Sequence, residues 1–217
     1  MTSTPDLIDL LVADAKPVRR LLPPLMRASC WLLFAVLMLV LVGVEHGVRP
    51  DLGVKLQQPV FVTGVAAAAI TGVLAAMASF IASIPGRSRN WLLLPAPSLV
   101  LWISTIGYGC LTNWVAVGPD GVSLGETARC FATLALIGAP LSLLMLIMLR
   151  YAARLSPRPV AMSASLAVAA ITATALSLLH PIDATVMVLM WNIGLAVLLM
   201  TVGGLYGRRL FEWVASQ

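Results

Sequence analysis

The sequence predicts an all-α, polytopic membrane protein: a bundle of six transmembrane helices preceded by a short cytoplasmic N-terminal amphipathic helix. Three observations predict it. The chain of 217 residues is 60% hydrophobic and 11% charged, whereas a soluble domain carries about 25% charged residues. Its apolar residues fall into uncharged runs that give spans at about 28–44, 59–84, 90–117, 130–149, 159–180 and 184–207, set against the roughly 20 residues a helix needs to cross the hydrocarbon core. The short alternating segments of a membrane β-barrel are absent. Helices are then the remaining way to satisfy backbone polar groups in lipid.

Residues 1–27 form the one sizeable polar segment. Three aspartates, Asp6, Asp9 and Asp14, precede any basic residue, which is unlike a secretory signal peptide. Thr4 can cap a helix with Pro5 at its first position, and Pro17 should stop it at about Lys16. On that helix Leu7, Ile8, Leu11, Val12 and Ala15 share a face. About three turns is too short to be stable alone in water, so the apolar face needs a surface to pack on. Interfacial helices normally carry Lys and Arg on the polar face. Here the carboxylates would repel anionic lipid, which favours a protein partner or the bundle's own cytoplasmic face. A tail with no specific role is the plainer alternative.

Lys16, Arg19, Arg20 and Arg27 come just before the first apolar run and anchor the N-terminus inside. With six spans, the inner segments also hold Arg87, Arg89, Arg150, Arg154, Arg158, Arg208 and Arg209, and the outer loops hold Arg49, Lys55 and Arg129. The bias places both termini in the cytoplasm. The +5 net charge is scattered between apolar runs, so it is read as topogenic and not as a nucleic-acid surface. Connections after residue 27 are short, which makes residues 28–217 one membrane domain. Gly43-x-x-x-Gly47, Gly203-x-x-x-Gly207 and the Ala-rich second span with Gly64 and Gly72 are helix-packing signals.

Almost nothing ionisable lies inside the spans, which argues against a charged-substrate transporter, a proton pump or an intramembrane protease. No enzyme activity and no cofactor are expected. Chemistry is left to the cysteines. Cys110 falls near the outer end of the third span and Cys130 at the outer start of the fourth, where a disulfide could persist if the Cα atoms come within about 7 Å. The alternative is capture of a regulatory soft metal ion by the two thiolates, with His46 or His180 supplying an imidazole. Cys30, at the inner start of the first span, is read as a small buried hydrophobe.

The order of motifs Lys16–Pro24 (KPVRRLLPP), Gly47–Leu52 (GVRPDL), Ser83–Arg87 (SIPGR), GYGC with Trp114, Leu124-Gly125 with Cys130, and Gly207–Trp213 (GRRLFEW) resembles the NrsF-type anti-sigma factors. The resemblance covers nearly the whole chain. It implies a six-helix inner-membrane protein that restrains an extracytoplasmic-function sigma factor through its N-terminus. Leu7, Ile8, Leu11, Pro17, Val18 and Arg19 would form the docking segment, and Cys110 and Cys130 an outward sensor of heavy metal or oxidative stress. The family pattern has a further cysteine after the histidine at the start of the sixth span; Pro181 follows His180 here, which favours a two-thiol sensor. Two alternatives stand beside this reading. A quinone-coupled thiol oxidoreductase would explain outer cysteines, but the chain has no Cys-x-x-Cys centre. A small permease for an uncharged or metal substrate is the other.

Overall fold

The computed structural model describes residues 22–84, 86–112, 124–149 and 157–179, with positions 201 and 205. These residues form α1 (Pro24–His46), a short α2 (Leu52–Lys55), α3 (Pro59–Ala82), a 3-10 turn (Arg89–Leu93), α4 (Ala96–Thr112), α5 (Leu124–Leu149) and α6 (Pro157–Leu179). Prolines set the starts. Pro24 and Pro59 open α1 and α3 behind the extended residues Pro23 and Gln58, and Pro157 opens α6. A first-turn N–H has no helical partner anyway, so proline costs nothing there, and it forces its predecessor out of the helical region. Glycine serves the turns. Gly47 ends α1 at φ 79°, and Gly86 turns the chain after α3 at φ 82°, a region that a Cβ disfavours.

The helices run alternately up and down. The Trp31 indole of α1 donates to the Leu141 carbonyl of α5 at 3.1 Å. The start of α1 also meets the ends of α3 and α5 through Arg27. That end of the bundle is called the Arg27 end. The opposite one, where α1 gives way to α2 and α3 begins, is the Arg49 end.

α3 and α6 make the most extensive pairing, with α4 on α3, α5 on α6 and α1, and α1 on α3. Their seam is built from small residues: Ala67, Ala68, Gly72, Ala75, Ala76 and Ser79 on α3, and Ser163, Ala164, Ala167, Ala170 and Ala173 on α6, are all buried. Small side chains let two backbones approach, and close packing is the main attraction between helices in lipid. A Cβ on Gly72 would lie 2.8 Å from Cγ1 and Cδ1 of Ile171 and 3.3 Å from its backbone nitrogen. Hydroxyls add directional links, from Ser163 Oγ to the Ala75 carbonyl at 3.0 Å and from Thr71 Oγ1 to Ser98 Oγ on α4 at 3.0 Å. Gly72→Ala is expected to destabilise the bundle by about 1–3 kcal/mol through overpacking, read as a lowered Tm in detergent. Gly53→Ala, whose Cβ would meet nothing within 4 Å, should leave the Tm unchanged; equal effects would show that the seam is looser than described.

Large aliphatic residues face outward. On α1, Ala28, Trp31, Ala35 and Val42 are buried, while Leu33, Val36, Leu37, Val40 and Val44 are exposed, Val44 by 81%. In water such a stripe would be a liability; against lipid tails it costs nothing. Among the described residues four helices are long and apolar enough to cross a membrane: Pro24–His46, Pro59–Ala82, Arg89–Tyr108 and Pro159–Leu179. They overlap the stretches 28–44, 59–84, 90–117 and 159–180, of which residues 113–117 and 180 lie outside the described part. The third begins as a 3-10 turn because Pro95 and Pro97 deny the chain two backbone donors before α4 is under way. The expected span 130–149 lies within α5, which starts earlier, at Leu124, and whose apolar part is the shorter Ala135–Leu149. The expected span 184–207 and the N-terminal amphipathic helix lie outside the described residues.

Candidate functional site

Each end of the bundle is organised around a buried arginine. Arg27, in the first turns of α1, is only 7% exposed. Its guanidinium donates to the Met148 carbonyl and lies over the Phe80 ring, 5.1 Å from the centroid. Met148 is next to last in α5, so its carbonyl has no partner in the helical ladder and carries part of the negative end of the helix dipole. One side chain therefore caps α5 and joins the start of α1 to the end of α3.

Arg49 does the same at the other end. It is 5% exposed, and its Nε and NH2 atoms reach Asp51 Oδ1 at 2.7 Å and Oδ2 at 2.6 Å. Its backbone N–H and side chain donate to the carbonyls of Leu178 and Ser177, each at 3.4 Å, in the last turn of α6. Its guanidinium lies 5.6 Å from the Phe61 ring centroid. α3 thus offers a phenylalanine to an arginine at both ends. The forked pairing is the geometry for which Arg cannot be replaced by Lys. Hydrogen bonding to Arg49, with help from the charges of Arg49 and Lys55, holds the Asp51 carboxyl below its usual range. A depressed carboxylate contributes its stability in full above about pH 4 and loses it only as the pH falls further. The clamp therefore stays closed near neutrality and is not a pH switch.

α4 runs alongside α3 from Ser98, opposite Thr71, to Thr105, opposite Gly64, so its last turn with Cys110 lies toward the Arg49 end. α5 ends at Arg27, so its opening turns with Cys130 point to the Arg49 end as well. The side chains of both cysteines lie outside the described part. α4 packs on α3, whereas α5 packs on α6 and α1, so the two cysteine-bearing helices are held by different neighbours. His46 is the exposed last residue of α1 at this same end. His180, with Leu7, Ile8, Leu11, Pro17, Val18 and Arg19, lies outside the described residues. Among the described residues no group of three or more His, Cys, Asp or Glu comes together to hold a metal.

Cys30 corrects an expectation. It is exposed on α1 as a free thiol, not buried, because the inward face of α1 is taken by Arg27, Ala28, Trp31 and Ala35. Sequence reasoning also missed both arginine clamps by treating Arg27 and Arg49 as charges that only mark a side. The signal available was Arg49-Pro50-Asp51, a cation and an anion held on either side of a proline.

The chain matches no curated protein and no solved structure. It matches the family model described as NrsF, negative regulator of sigma F, over residues 11–213. That match takes in both clamps, Cys110, Cys130 and most of residues 1–27. The chain belongs to the NrsF family of sigma-factor negative regulators.

Proposed function

We propose that the chain is an anti-sigma factor of a bacterial inner membrane, with both termini cytoplasmic, that holds an extracytoplasmic-function sigma factor on residues 1–27 and withholds it from RNA polymerase. The observation that carries this reading is the family match, whose description supplies a sigma factor as the regulated partner. Leu7, Ile8 and Leu11 give the docking segment its apolar face, and Pro17, Val18 and Arg19 lead it to the bundle. The concentration of Lys and Arg on alternate connections supports the orientation.

Release follows modification of Cys110 and Cys130 on the outer side. Either the two thiols lose two electrons and two protons to an oxidant and form a disulfide, or they bind a soft metal ion as thiolates, with His46 or His180 as a further ligand. The energetic demand is small, since about 1.4 kcal/mol of differential affinity changes the free sigma fraction tenfold in its sensitive range. The test is co-purification: the full chain should retain a sigma factor, and a chain lacking residues 1–20 should lose it. Equal recovery would remove the docking role. A Cys110→Ser, Cys130→Ser chain should repress a sigma-dependent reporter as wild type does but no longer answer to metal or oxidant; a normal response would discard the sensing half alone.

A further inference from the structure

At the Arg27 end the chain turns from α3 into α4 through residues 84–94, and this turn is built, not slack. Gly86 takes φ 82°, Ser88 Oγ accepts from the Asn90 N–H at 3.2 Å, and the 3-10 turn Arg89–Leu93 packs back on α3. Yet what it presents outward is unusual. Residues 86–91 are all exposed, including Arg87 and Arg89, and among the described residues neither arginine side chain has a hydrogen bond or ion pair. Next to them Trp91 is 40% and Leu93 68% exposed. No carboxylate occurs anywhere between Asp51 and Asp120.

Two guanidinium groups without a partner among the described residues, followed at once by an exposed indole and an exposed leucine, form a gradient, from charge to apolar surface, over the seven residues 87–93 at the mouth of a membrane-spanning helix. A solvated loop has no use for Trp91 and Leu93 outside the bundle, and a purely apolar lipid contact has none for Arg87 and Arg89. An anionic phospholipid uses all four: its phosphate meets the guanidinium forks, the indole sits at the headgroup level, and the leucine reaches the acyl region. We propose that residues 86–93 are a binding site for the headgroup of an anionic phospholipid. The site fixes the register of α3 and α4 against the bilayer. It requires only that these helices span a membrane, and it holds for either orientation and whether or not residues 1–27 bind a sigma factor.

The test is native mass spectrometry of the full-length protein in detergent with phosphatidylglycerol and phosphatidylcholine at equal concentration. The wild type should prefer phosphatidylglycerol. At about fivefold in affinity per arginine near an anionic surface, Arg87→Gln with Arg89→Gln should weaken phosphatidylglycerol binding about thirtyfold and leave phosphatidylcholine unchanged. Arg87→Lys with Arg89→Lys should retain most of the preference. Phosphatidylglycerol affinity within twofold of wild type in the Gln variant would overturn the proposal. So would displacement of the lipid by an equal concentration of inorganic phosphate, which would make the site one for the free ion. Loss of a co-purifying protein with lipid binding intact would overturn it too, by making the patch a protein contact.

Discussion

A chain carrying Leu7→Asp and Leu11→Asp is expected to bind its sigma factor at least about a hundredfold more weakly than the wild type. On the proposed N-terminal helix the two leucines would be one turn apart, so they would share one face and be buried together or not at all. Each leucine removed from water is worth about 1.5–3 kcal/mol, and each 1.4 kcal/mol is tenfold in affinity. Two carboxylates in their place add a desolvation cost with no cation opposite them. Asp9→Ala, on the polar face, should change binding less than twofold, which separates loss of an apolar contact from loss of helix. Binding measured with full-length protein in detergent decides the matter: equal affinity for wild type and the Leu7/Leu11 variant would move the sigma-factor contact off this face.

The helical bundle was legible in the sequence because lipid removes most alternatives: runs of 20 uncharged residues have few other folds open to them. Packing was legible in part: Gly72 and the alanines of α3 marked it as a closely packed helix without naming α6 as its partner, whereas Gly47, read as a packing glycine, turns the chain at φ 79° with nothing within 4 Å of a Cβ. Orientation of a helix about its own axis was not. In water an apolar stripe marks the buried face, but α1 buries Ala28 and Ala35 and turns Leu33, Leu37 and Val40 outward, so hydrophobicity no longer says which way is in. Cys30 was misplaced for that reason. The arginines were missed for a related one: counting charges along a line assigns each to a side of the membrane but cannot see that Arg27 reaches a carbonyl 121 residues away. The start of α5 at Leu124 was hidden because Glu126 and Arg129 end an apolar run without ending a helix.

Arg27→Lys is the sharper test of how the two halves of the molecule are joined. If Arg27 were only a charge that orients the chain, lysine would replace it without loss. If it is the clamp described above, lysine keeps the charge but loses the planar fork that caps α5 and lies over Phe80. Arg27→Met, of similar length and no charge, removes a charged hydrogen bond worth about 1.5–3 kcal/mol and a cation–π contact worth about 1 kcal/mol. At about 2–4 °C per kcal/mol for a chain of this size, the methionine variant should melt about 5–16 °C lower, with lysine roughly midway. The functional consequence follows from the geometry of α5. Cys130 lies in its opening turns and Met148 at its end, about 27 Å of helix apart, and Pro140 interrupts the ladder between them. A shift of α5 at the cysteine end would therefore arrive at Arg27, which with Trp31 ties α5 to the start of α1, next to the proposed docking segment. Arg27→Lys should accordingly leave basal repression of a sigma-dependent reporter close to wild type while cutting the metal- or oxidant-induced response severalfold. A full response in a lysine variant that melts lower would confine Arg27 to stability and send the signal along another helix.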